Sequence, residues 1–419
     1  MNKESNNKKT LFENFFSLSV LQGANMILPL ITFPYLVRVL GIELFGLINF
    51  ASAIVGFFAI LVSFGFDLSA TKDISINRDD KEKVSEIFSS VMIIKFGLFT
   101  LSLIILSMLV FFIDSFHNNS LLYYMTFGIV FGNMIFPSWF FQGIEKMKYI
   151  TIITVIAKIF FTIFIFLLVR NQDDFIFVPL LYSLGAIMSG IISLIIIFNL
   201  YKIKLYFPSK HIVLKQFKSS YFYFVSRIAN NGSRYFATSI VGVYFGNSTL
   251  GYYTLVEKLF YAFSSIGGIV SQTIFPYMSR TKDLIFFKKI LLISMIITLA
   301  LVSFLMFFNE FLLELVFGIK NELASNVFLI FFSSLIFSIP NSIIGYPLLA
   351  AFGHPKYANL SLIYASFIYL AYILIVTIAT QNIYYTSFSV VVYMFTALFI
   401  RLYYLKKTEI LNCKNNRII

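Results

Sequence analysis

The stretch Ser219–Tyr244 (SSYFYFVSRIANNGSRYFATSIVGVY) is long enough to cross a bilayer, yet it carries Arg227 and Arg234. Seven residues make two turns of an α-helix, which puts both guanidinium groups on one face, about 10 Å apart along the axis. Asn230 and Asn231 lie between them, and Ser220, Tyr223 and Thr238 extend the polar stripe. The opposite face, from Phe222 through Ala229 to Ile240, is uncharged. A planar fork of N–H donors suits phosphate or carboxylate. The chemistry to expect here is anion binding within a membrane.

Three further cations, Lys95, Lys158 and Lys258, fall inside apolar runs. A mid-span cation costs roughly 3 kcal/mol on insertion scales, so each needs a partner or a route to the surface. Lys95 and Lys158 lie about two turns from the ends of their runs, Lys258 at a similar depth, and snorkelling explains all three as well as function does. Arg234 sits near the middle of its run, where neither surface is in easy reach. Acidic partners are few: Glu257 lies inside a run and Asp67 at the end of one. That surplus of positive charge implies an anionic ligand. Glu257 and Asp67 are also the candidates for taking up a coupling proton or sodium ion. A second polar stripe, Gln22, Asn25, Pro29 and Thr32, is uncharged and suits sugar recognition, with helix–helix hydrogen bonding as the alternative.

The elements that must hold these residues are membrane helices. The 419-residue chain is 59% hydrophobic and only 12% charged, about half the charge of a soluble domain. Mean hydropathy is +0.87. Twelve spans are expected near 15–38, 47–68, 87–113, 121–141, 150–169, 175–200, 219–244, 252–277, 290–309, 326–351, 358–379 and 385–404. With a cytoplasmic N-terminus, 24 of the 32 Lys and Arg residues fall on the inner side and three (Arg38, Arg170, Lys320) on the outer. Arg401 is counted here with the cytoplasmic tail. Both termini are therefore expected to be cytoplasmic. Topology and anionic lipid account for the net charge of +13, without nucleic acid.

The lysine-rich segment 201–218 divides the spans six and six. The expected plan is a cytoplasmic segment 1–14, an N-lobe 15–200, a linker 201–218, a C-lobe 219–405 and a cytoplasmic tail 406–419. Gly41 and Gly46 recur as Gly246 and Gly251 at an offset of 205 residues, and the same offset sets Gln22 on Arg227 and Asn25 on Asn230. Parallel repeats about an axis along the membrane normal follow. Seven of nine prolines fall in or at the ends of spans, where each leaves a carbonyl that a neighbour or cavity water must satisfy.

Enzyme chemistry has no visible site. There is no Ser/His/Asp set, no pair of membrane carboxylates and no phosphate-binding glycine loop, and the outer loops are short. His117, His211 and His354 lack metal-ligand spacing, so no metal or cofactor is expected. The lone cysteine, Cys413, excludes an intramolecular disulfide.

Three stretches, LQGANMILPLITFPYLVRVLGIELFG (21–46), SFGFDLSATKDIS (63–75) and FPSWFFQGIEKMKYI (136–150), resemble the Wzx-type O-unit and polysaccharide flippases of the multidrug/oligosaccharidyl-lipid/polysaccharide exporter superfamily. YFGNSTLGYYTLVEKLF (244–260) and FPYMSR (275–280) resemble it more loosely. The resemblance implies an all-α, MATE-like pair of six-helix lobes around a cationic lumen that binds the diphosphate and anionic sugars. It implies movement of an undecaprenyl-diphosphate-linked oligosaccharide across the bacterial inner membrane by alternating access, with a polysaccharide polymerase and a chain-length regulator as candidate partners. Arg227, Arg234 and Lys258 would hold the diphosphate; Asn230, Asn231, Gln22 and Asn25 would face the sugars. The alternatives are a drug/cation antiporter of the same fold, which a positive lumen disfavours, and a membrane glycosyltransferase or polymerase.

Overall fold

The computed structural model describes the backbone of residues 3–408 and 410, and their side chains apart from those of 3–12, 15, 226 and 230. Cys413, Lys414, Arg417 and the side chains of Lys3, Lys8, Lys9 and Asn230 lie outside the described residues. The chain is all-α, with no strand among the described residues. In order come α1 (Lys3–Ser63), α2 (Phe66–Asn77), α3 (Lys81–Phe112), α4 (Asp114–His117), α5 (Ser120–Ile135), α6 (Ser138–Gly143), α7 (Met147–Leu168), α8 (Phe177–Asn199) and α9 (Lys210–Arg227). A π turn (Ile228–Gly232) precedes α10 (Ser233–Thr281), α11 (Leu284–Phe307), α12 (Asn309–Phe317), α13 (Glu322–Ser333) and α14 (Leu335–Ile344). A second π turn (Gly345–Ala350) leads to α15 (Pro355–Thr380), α16 (Ile383–Ser387) and α17 (Ser389–Lys407).

Nine helices among the described residues are long and apolar enough to cross a membrane, and the first, Phe16–Asn77, runs through two of the expected spans. The expected spans 219–244 and 252–277 fall on α9, the first π turn and α10, which are not among those nine. Their arginines, asparagines, Glu257 and Lys258 dilute the apolar content. Elsewhere the outward faces are oily, as α11 shows with Ile285, Leu292, Ile296, Ile297 and Phe307 exposed. In water such a belt would aggregate; it suits lipid.

Two compact units divide between Tyr235 and Phe236. In the first, α1 is interrupted at Gly41, whose φ of 79° and ψ of 166° are open to glycine without a Cβ clash. A second glycine, Gly65 (φ 75°), separates α1 from α2; a Cβ there would meet Tyr223 Cβ at 2.6 Å and the Phe224 nitrogen at 2.8 Å. That close approach lets α9 dock on α2. Ser69 and Ser220 share a 2.7 Å hydrogen bond, Gln216 donates to Asp73, and Phe64 stacks on Phe217 and Phe224. The segment expected as a linker is thus structured. Lys204 and Tyr206 donate backbone N–H groups to Ser85 and Ser89, and α9 starts at Lys210, well before the expected 219.

The FPSWFFQG run builds the core of this unit. Trp139, Phe140 and Phe141 are each no more than 1% exposed and pack on Phe66, Phe88 and Ile74. Gly143 lets the run press on α2, because a Cβ there would fall 2.6 Å from Ile74. In the second unit, α10 breaks at Gly246 (φ 78°, ψ 173°), and Phe260, Phe328, Phe331 and Phe332 form an aromatic core, two of them stacked at 3.9 Å. Another core joins Met278, Phe287, Ile343 and Leu349.

Candidate functional site

The two arginines that opened the sequence reading do not share one face. The π turn Ile228–Gly232 lies between them, and its wider winding defeats the two-turn spacing that a continuous α-helix would give. Arg227 ends α9, half-buried, and its Nη2 lies 3.1 Å from Asp67 Oδ2 near the start of α2. The Ser138 hydroxyl approaches the other oxygen of Asp67 at 3.5 Å. Asp67 and Arg227, read from sequence as separate candidates for coupling and for substrate, are ion-pair partners. Arg234, just past the π turn, is exposed, as is Asn231. In the second unit Lys258 is half-buried on α10 beside a buried Glu257.

Lys95 and Lys158, the two lysines inside apolar runs of the first unit, donate to neutral groups. Lys95 is 3% exposed, and its Nζ donates to the Asn133 carbonyl at 2.7 Å. The reason lies four residues on. Pro137 has no N–H, so the Asn133 carbonyl loses its helical donor, and α5 ends at Ile135. The Lys95 ammonium replaces the missing amide. Snorkelling is not what Lys95 does.

Lys158 stands farther along its helix than the expected span placed it, with its side chain exposed. Because α7 begins at Met147, Lys158 stands about three turns from the helix start, near its middle. Its Nζ donates to Asn25 Oδ1 on α1. Asn25 therefore orients a lysine, while Gln22, one turn away, is exposed. Beside this pair lies a cavity of about 390 Å³, walled by α1, α5, α7 and α8. Lys158 lines it together with Thr154 and Thr162, one turn to either side on α7, and with Asn133, Tyr182 and Ser189. Gly185 and Ala186 leave the room on α8. The Thr154 hydroxyl is buried with no hydrogen-bond partner. Sequence reading missed this constellation, although the signal was there: 154, 158 and 162 repeat at helical spacing, and so do 182, 185, 186 and 189.

Arg401 is a further correction. Counted with the tail from sequence, it is 3% exposed inside the second unit. Its guanidinium donates to the Asn341 carbonyl, to the Ala358 carbonyl (3.1 Å) and to Ser361 Oγ (2.9 Å). Gly345 leaves the space for it, since a Cβ there would stand 2.6 Å from Arg401 Nη1. Among the described residues no cluster of three or more His, Cys, Asp or Glu side chains could hold a metal ion.

Residues 11–282 match the model of the family described as polysaccharide biosynthesis protein. An Escherichia coli (strain K12) protein named "Putative O-antigen transporter" is 30% identical over 292 residues, 70% of each chain. Among solved structures, the lipid II flippase MurJ in an inward closed conformation aligns with a TM-score of 0.74 at 15% identity, covering 94% of this chain and 88% of that one. An inward-facing MATE-family multidrug transporter of the MOP superfamily aligns at 0.62 and 15% identity, covering 96% and 100%. At that identity the likeness is one of fold: a multi-pass, MATE- and MurJ-like helical membrane architecture. With the family model matching well over half its length, the chain belongs to the polysaccharide biosynthesis protein family, the Wzx-type flippase group that its motifs resemble.

Proposed function

We propose that this protein is a flippase for lipid-linked oligosaccharides, carrying an undecaprenyl-diphosphate-linked repeat unit from the cytoplasmic to the outer leaflet of the bacterial inner membrane by alternating access. The observation that carries this reading is a family match joined to membrane-embedded cations whose partners are largely neutral. The Escherichia coli relative is named for O-antigen transport, and MurJ, which shares the fold, for flipping lipid II. Lys95, Lys158 and Arg401 donate to carbonyls, an amide and a hydroxyl. Lys95 and Arg401 are taken up by buried backbone carbonyls, but Lys158 lines a cavity, where its charge would repel a cationic drug and suit anionic cargo.

In this reading Arg234 is the first contact for the diphosphate, and Arg227 is released to it when Asp67 lets go. The twelve-span topology with both termini cytoplasmic is part of the same proposal, as are a role for Lys258 in substrate binding and for Glu257 in ion coupling. A deletion strain tests the function. Repeat units linked to lipid and trapped on the cytoplasmic face are the expected result. Drug sensitivity alone, or units exported but left unpolymerised, would overturn it.

A further inference from the structure

The cavity between α1, α5, α7 and α8 is not needed to hold a diphosphate, which would call for paired, forked donors. It offers one ammonium group instead. Among the described residues Lys158 has no carboxylate in ion-pair range, and its hydrogen bond to Asn25 uses one of three N–H donors. Around it stand hydroxyls from Thr162, Tyr182 and Ser189; that of Ser189 already donates to the Gly185 carbonyl and keeps its lone pairs to accept. The Thr154 hydroxyl lies buried in the wall with no hydrogen-bond partner. Phe136 and Phe161 supply apolar walls, and the volume of about 390 Å³ falls in the usual range for small-molecule sites.

One positive charge, a ring of hydroxyls and flat apolar walls describe a carboxylated sugar. We infer that this cavity is a subsite for an acidic sugar of the cargo, with the carboxylate on Lys158 and the ring hydroxyls on Thr162, Tyr182 and Ser189. The inference rests on the reading that the cargo is a lipid-linked oligosaccharide. Lys158 lies near the middle of α7, away from the helix ends where phospholipid headgroups would sit.

Two measurements test the subsite. In the first, the purified full-length protein in detergent is titrated calorimetrically with glucuronate, with glucose and with chloride. Glucuronate should bind at least tenfold more tightly than glucose, and Lys158→Gln should abolish that preference. Asn25→Asp, nearly isosteric, should do the same by giving Lys158 an internal counter-ion, and Thr162→Val should weaken glucuronate severalfold. Absence of glucuronate binding, equal affinity in wild type and both charge variants, or displacement by equimolar chloride would overturn the subsite.

The second measurement separates the subsite from the flippase reading. Wild type and Lys158→Gln are compared in proteoliposomes loaded with lipid-linked units that either carry or lack a uronic acid. A tenfold fall in the acidic-to-neutral transport ratio of the variant supports the subsite. An unchanged ratio with active transport sinks the subsite and leaves the flippase reading standing. If wild type moves neither substrate, the flippase reading fails, and an acidic-sugar subsite for cargo falls with it.

Discussion

The two units repeat their backbone devices and differ in their buried charge. Gly41 and Gly246, 205 residues apart, adopt the same extended, positive-φ conformation (79°/166° and 78°/173°) and break a long helix in each unit. The helix that follows each broken pair is capped by an aspartate. Asp80 accepts from the amides of Glu82 and Lys83, and Asp283 from those of Ile285 and Phe286. The buried cations do not repeat. The first unit sets Lys95 on the carbonyl that Pro137 orphans; the second sets Arg401 on carbonyls beside the π turn Gly345–Ala350. Only the first unit spends its cation on a carbonyl that a proline frees. In the second the Asn341 carbonyl already accepts from the Gly345 amide, and Arg401 adds a further donor across helices.

The comparison breaks most readily at Arg401. The Asn341 carbonyl keeps the Gly345 amide and the Ala358 carbonyl keeps the Ser361 hydroxyl, so removing the guanidinium costs three buried hydrogen bonds and the space it fills. Arg401→Met should therefore cost about 3–5 kcal/mol, read from thermal unfolding in detergent. Arg401→Lys should recover only part of this, because one ammonium cannot span three acceptors in a planar fork. Gly345→Ala should cost about 1–3 kcal/mol, since the methyl group would press on the guanidinium.

Lys95 should be the smaller of the two. It makes one hydrogen bond, and Lys95→Met should cost about 1.5–3 kcal/mol. The cause can be isolated by restoring the amide that proline lacks. In a double-mutant cycle, Pro137→Ala should be less harmful, or even helpful, in the Lys95→Met background than in wild type, with a coupling of about 0.5–3 kcal/mol. Strict additivity would show that Lys95 is not there for the proline's carbonyl.

Much of the fold was legible because the membrane imposes a simple rule: long apolar runs become helices, and nearly every expected run does so. The Gly41/Gly246 pair could be found by offset alone, since only glycine tolerates that backbone and its identity marks the break. Three things were not legible. The π turn at Ile228–Gly232 leaves no mark in composition, so the spacing of Arg227 and Arg234 was read on the wrong helix geometry. The place of Lys158 along its helix depends on where α7 begins, and a boundary error of three residues moved it by nearly a turn. Arg401 lies five residues from Lys406 at the end of an apolar run, where a tail residue and a buried one look alike. In each case the missing information was tertiary: which carbonyl, amide or carboxylate stands opposite.

The Asp67–Arg227 pair offers a partly exposed contrast to these buried cations. With side chains 29% and 36% exposed, the pair should contribute no more than about 1 kcal/mol to stability, and less in high salt. Asp67→Asn should thus leave the melting temperature within a few degrees of wild type. A loss as large as that of Arg401→Met would mean that the pair locks the α2–α9 packing, which the serine pair and the Phe64 stack are expected to hold without it.

The smallest effect should come from the repeated caps, and it has a direction in pH. The Lys83 amide, with the Lys83 charge and the Glu82 amide adding to it, holds the Asp80 carboxyl below its ordinary value of 3.8. A carboxyl depressed in the folded state stabilises above its unfolded value, and that contribution is lost as the pH falls through the folded one. Between pH 6 and pH 3 the first turn of α3 should therefore loosen, seen as faster amide exchange at Glu82 and Lys83 after correction for intrinsic rates. Asp80→Asn keeps an acceptor at the cap but cannot titrate, so its exchange should not change with pH in this window. Asp80→Ala should exchange quickly at both pH values. A wild-type cap whose exchange stayed the same between the two pH values would show that the Lys83 amide and charge do not hold the Asp80 carboxylate.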